Sequence, residues 1–82
     1  MDELHQERLS TLSLPLGSRS VGKPLGHLAL HTLGVRIVSL RRSSGKTIPP
    51  TDDLLFEGGD TLVLSGRAET LAVAEQKLLK GA

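Results

Sequence analysis

Cysteine, tryptophan and tyrosine are all absent from this 82-residue chain, and Phe56 is its only aromatic residue. Without cysteine there is neither a disulfide framework nor a thiolate zinc site, the two staples that small domains use when their cores are thin. Without aromatics there are no stacking platforms of the kind that single-stranded nucleic acid binders rely on. The ten Lys and Arg and nine Asp and Glu leave a net charge of +1, which is no footprint for a phosphate backbone, so no nucleic acid partner is expected. No apolar run approaches the roughly 20 residues that cross a bilayer. The first nine residues are too polar for a signal peptide, and the expected location is the cytosol or the cytosolic face of a membrane.

What is present is a light aliphatic core of Leu, Val, Ile and Ala. A single domain this short hides only about 60 to 65% of its unfolded surface, so a partner chain is the expected source of further stability. Residues 1–8 are polar and suit a linker or the end of a preceding helix; residues 9–82 form the domain proper. Leu12, Leu14 and Leu16 alternate with polar residues and predict a first strand over 9–16, with Pro15 marking an edge or an end. Pro24 in a first turn, Leu25 and Leu28 on one face and Gly34 as a left-handed cap predict a helix over 24–32. A β-branched strand follows over 35–42, then a turn at 43–46, a short extended piece at Thr47-Ile48 and a further strand over 61–66. From Arg67 onward, Leu71, Ala72, Ala74, Leu78 and Leu79 recur at three- and four-residue spacing, with Gly81 as the stop. The expected fold is α+β: a small mixed or mainly antiparallel sheet with helices packed on one face.

Few residues carry chemistry. His27 and His31 stand four apart on the predicted helix, a spacing that lets two imidazoles share a metal, but the intervening Leu28, Ala29 and Leu30 supply no zinc-protease glutamate and no third ligand is near. They read as surface histidines. No serine occupies a nucleophile elbow. Asp52, Asp53, Glu57 and Asp60 fall in turns, where carboxylates bond backbone N–H groups, so they read as loop-shaping rather than catalytic. Gly22-Lys23-Pro24 lacks the spacing and hydroxyl of a phosphate loop, yet Lys23 sits beside a helix start, where anions are favoured. Arg41 and Arg42 end the strongest strand. Doubled about a two-fold axis beside Ile48, Pro49 and Pro50, they would make a cleft with apolar walls and cationic ends.

Taken in order, Ser20-Val21-Gly22-Lys23-Pro24-Leu25, Gly34-Val35-Arg36-Ile37-Val38-Ser39-Leu40-Arg41-Arg42, Ile48-Pro49-Pro50 and Gly59-Asp60-Thr61-Leu62-Val63-Leu64-Ser65-Gly66 resemble the TrkA-C domain, the C-terminal half of the RCK (regulator of potassium conductance) unit. The likeness spans roughly residues 9 to 80, and the closing helix looks most like the tails of Kef-type monovalent cation/proton antiporters. It implies a homodimer attached to a membrane-embedded potassium or cation transport domain at the cytoplasmic face of a bacterial inner membrane. It also implies gating by a small anionic ligand held between two lobes, with cyclic di-AMP or an adenine nucleotide as candidate effector and no other cofactor.

Two functions of different class follow. In the first, an effector bridges two protomers and biases two dimer arrangements, with Lys23, His31, Arg41 and Arg42 as cationic contacts and Ile48 and Pro49 as the wall. In the second, the same surface only joins two subunits and no small molecule is read. Enzymatic activity is not expected, since no nucleophile, metal cage or acid–base pair emerges.

Overall fold

The computed structural model describes residues 7–80. Four strands, β1 (Arg8–Ser13), β2 (Arg36–Arg41), β3 (Thr47–Ile48) and β4 (Thr61–Gly66), precede one α-helix, α1 (Ala68–Lys80). The sheet order is β1-β4-β2-β3, and every pairing in it is antiparallel. β1 and β2 therefore run the same way but are held apart by β4. The α+β class and the antiparallel sheet match expectation.

Register explains the apolar pattern. Leu12 and Leu40 flank Leu62, while Ser10 and Ile37 flank Leu64. These residues share one face of the sheet, and α1 covers it with Leu71, Ala74 and Leu78. The pairing of β2 with β4 slips between Ile37 and Ser39, so Val38 is an extra, exposed residue. A bulge of this kind reverses the in–out parity of a strand. Val35 and Ile37 before it and Leu40 after it can then all face the core, which is why this strand's apolar positions are irregular in the sequence.

Two elements depart from expectation. The first strand stops at Ser13, because Pro15 cannot donate to a ladder. Leu14 is buried beyond the strand, whereas Leu16 is 84% exposed. The predicted helix over 24–32 is instead two 3₁₀ turns, Leu25–Leu28 and Leu30–Leu33, broken at Ala29 with φ 49°. Leu28 and Leu30 are both buried, and residues two apart cannot share an α-helical face. The left-handed break lets the chain bury both. Gly26 inside so short a segment also lowers helical propensity. Pro24 lies just before the first turn in extended conformation. The expected cap at Gly34 is present: its φ is 73° and its N–H bonds back to His31 O and Leu30 O.

The far end of α1 is tied to the segment after β1. Ser18 Oγ donates to Leu78 O at 2.8 Å, and the fully buried Ser20 Oγ donates to the same carbonyl. These hydroxyls satisfy an acceptor that a helix end leaves orphaned. The expected stop at Gly81 lies outside the described residues.

Candidate functional site

Arg41 and Arg42 read as one basic cluster, but the strand parts them. Arg42 turns inward: its Nη1 lies 2.7 Å from Asp60 Oδ2, with the Arg42 side chain 14% exposed and that of Asp60 0% exposed. The same carboxylate oxygen accepts the Glu57 N–H at 2.8 Å. Glu57 Oε1 stands 3.8 Å from Arg42 Nε on the more exposed side. The other Asp60 oxygen, Oδ1, is buried and has no hydrogen-bond partner among the described residues. The pair fastens the end of β2 to the start of β4, so Arg42 is occupied within its own protomer. The expected loop-shaping role of Asp60 is realised. Arg41 points to the exposed side, opposite Thr47 and Thr61.

A concavity with mostly apolar walls lies at the opposite end of β2. An open cleft of about 220 Å³ sits between the two 3₁₀ turns, the start of β2 and the segment after β3, walled by Leu25, Leu30, Val35, Ile37 and Pro50. Three ionisable residues border it: His31 from the second 3₁₀ turn, Arg36 from the first position of β2, and Asp52 from the loop after β3. None of the three uses its side chain in a hydrogen bond or ion pair among the described residues. An apolar cleft with unengaged charges at its border can bind a ligand that is part apolar and part anionic.

The expected site residues fall unevenly around this cleft. His31 borders it. Pro49 is exposed beside Pro50, while Ile48 is half-buried in β3 opposite Leu40 and packs against the core. Lys23 is half-buried, its backbone bonded to Ser20 and Phe56, and it does not line the cleft. Arg41 is five strand positions from Arg36, about 15 Å at the usual rise per residue. Within one protomer, then, the cationic group expected at Lys23, His31, Arg41 and Arg42 is not brought together. The break at Ala29 also removes the helical face on which His27 and His31 would share a metal, and the described residues hold no cluster of three or more His, Asp or Glu suited to one. Arg36 and Asp52 are the additions. Arg36 had a readable signal, since a left-handed glycine cap folds the next strand back beside the preceding turn. Asp52 had none: its place depends on a bond from Gly26 N to Asp52 O at 2.9 Å.

A four-stranded antiparallel sheet under one helix, with a cleft at a pair of 3₁₀ turns, defines a small α+β lobe of the RCK_C kind. The chain belongs to the TrkA-C domain family, whose model matches residues 9–79. A curated relative from Alkalimonas amylolytica, named as K(+) efflux antiporter KefB, is 33% identical over 69 residues, which is 84% of this chain and 10% of the relative. The chain thus spans about a tenth of that protein's length. Among solved structures, the RCK_C domain dimer of S. agalactiae BusR in complex with c-di-AMP has a TM-score of 0.72 at 25% identity, covering 85% of this chain and 93% of that one. S. agalactiae BusR in complex with its busAB-promoter DNA scores 0.67 at 26% identity, covering 93% of this chain and 35% of that one. The GsuK RCK domain scores 0.63 at 22% identity over 85% of this chain and 16% of that one, a likeness of fold. The expectation of no nucleic acid partner therefore meets one relative that does bind DNA, through a chain of which the matched part is about a third.

Proposed function

We propose that this domain is a dimeric sensing module for a potassium or other monovalent cation transporter, and that it binds a small anionic effector, a nucleotide such as cyclic di-AMP, in the cleft bordered by His31 and Arg36. The observation that carries the reading is the cleft itself: apolar walls, an imidazole and a guanidinium with no partner among the described residues, in a lobe similar to one that binds c-di-AMP as a dimer. Of the earlier candidates His31 is retained and Arg36 added. Arg42 is set aside, because taking it from Asp60 would strand a buried carboxylate. Lys23 and Arg41 touch an effector only across the dimer. The wall is formed by Pro50 rather than by its exposed neighbour Pro49, and Ile48 packs against the core. Transport is performed by the rest of the parent protein, with this lobe at the cytoplasmic face; binding shifts the population of two dimer arrangements by its differential affinity for them. A near-neutral charge keeps DNA out of the list of partners.

Calorimetric titration with cyclic di-AMP, ATP and AMP tests the site. At least one is expected to bind more tightly than about 1 mM, roughly 4 kcal/mol. His31→Ala and Arg36→Ala should each weaken it by about tenfold or more, the usual loss for a charge-assisted contact. Absence of binding would leave a purely structural dimerisation domain, whereas variants that bind like the parent would place the effector away from His31 and Arg36.

A further inference from the structure

An anion-binding cleft has little use for a carboxylate, yet Asp52 borders this one. Its neighbours in the same loop have other occupations. Asp53 accepts a hydrogen bond from Thr51 Oγ1 at 2.7 Å, Asp60 holds Arg42, and Glu57 stands near the same guanidinium. The Asp52 carboxylate alone is bound to nothing among the described residues. Its position is nevertheless fixed. Gly26 N–H donates to Asp52 O at 2.9 Å, and a Cβ at Gly26 would come within 3.1 Å of Asp52 Cβ and 3.3 Å of its carbonyl oxygen. The missing side chain at Gly26 is what lets the loop seat Asp52 against the first 3₁₀ turn.

We infer that Asp52 selects the effector by its base, admitting a nucleobase that presents an amino group at the cleft and rejecting one that presents a carbonyl there. The inference rests on the effector-site reading above. An ionised carboxylate only accepts hydrogen bonds, and beside a phosphate it repels. It therefore faces the uncharged part of the ligand, leaving the phosphate to His31 of the second 3₁₀ turn and Arg36 at the start of β2. The size of the cleft agrees, for about 220 Å³ falls below the range of about 300 Å³ and upward that encloses a drug-sized ligand. One protomer houses one nucleotide half of a cyclic dinucleotide, and its two-fold mate houses the other. An amino group donates to Asp52, whereas a carbonyl in its place sets acceptor against acceptor, the kind of mismatch that a polar site rejects most strongly.

The test compares cyclic di-AMP with cyclic di-IMP, in which each adenine amino group is a carbonyl, by calorimetry on the parent chain, Asp52→Asn and His31→Ala, with a thermal melt of each variant. The parent is expected to prefer cyclic di-AMP by about tenfold or more. In Asp52→Asn, whose amide both donates and accepts, the two ligands should come within about threefold of each other. Equal affinity of the parent for both, with His31→Ala weakening both, overturns the inference and leaves the effector site standing. So does an Asp52→Asn variant that keeps the parental preference, or one that binds both ligands more tightly by the same factor, which would make Asp52 a mere anion repellent. If neither nucleotide binds the parent, the effector-site reading fails and the selectivity fails with it.

Discussion

Replacing Arg42 by methionine keeps most of the side-chain stem and removes the charge, leaving the buried Asp60 carboxylate with only the Glu57 N–H as partner among the described residues. Breaking a buried ion pair from one side costs about 3 to 5 kcal/mol, because the surviving charge is uncompensated. Here Asp60 Oδ1 already lacks a hydrogen bond among the described residues, so little remains to absorb the loss. A chain this short holds about 4 to 12 kcal/mol in total at the usual stability per residue. The substitution therefore removes a large share of it and should lower Tm by at least about 12 °C, at some 4 °C or more per kcal/mol for a domain of this size. With no tryptophan to follow, thermal or urea unfolding is read by far-UV circular dichroism of α1. The double variant Arg42→Met, Asp60→Asn removes both charges, and its amide oxygen can still accept the Glu57 N–H, so it should regain most of the loss. Glu57→Gln, which touches only the more exposed contact at 3.8 Å, should change stability by less than about 1 kcal/mol. A single Arg42→Met loss below about 1 kcal/mol would refute the assignment of this arginine to the interior.

Two further substitutions probe local features. Gly34→Ala introduces a side chain at φ 73° with no atom within 4 Å of the new Cβ, so its cost is backbone strain alone, about 1 to 2 kcal/mol; chemical denaturation should show it, with Gly34→Asn milder. Ser20→Ala removes one of the two hydroxyls on Leu78 O and should cost about 1 kcal/mol, seen as faster amide exchange in the last turn of α1. Adding Ser18→Ala should enlarge that effect.

Much of the fold was legible because its elements carry their own periods. Leu71, Ala74 and Leu78 mark the covered face of α1, and the run from Thr61 to Gly66 is the central strand on both of whose edges the sheet is built. What escaped the sequence was decided by distant contacts. The bulge at Val38 is a matter of register with β4, and the break at Ala29 answers the need to bury Leu28 and Leu30 together. The serines at 18 and 20 carry no local signal of their role, which is to satisfy an acceptor of a helix about sixty residues away. At the cleft, His31 was among the residues named from the sequence, whereas Arg36 and Asp52 were not. Arg42 was misplaced, since nothing local tells a solvated strand end from one whose guanidinium reaches a buried carboxylate eighteen residues on.

Dimer formation around an effector is most directly tested by sedimentation equilibrium of the unmodified chain across a rising concentration series, with and without cyclic di-AMP. A monomer–dimer equilibrium that the nucleotide pulls toward the dimer, at one nucleotide per two chains, is the predicted result. A chain that stays monomeric throughout, with the same profile whether or not nucleotide is added, would contradict it.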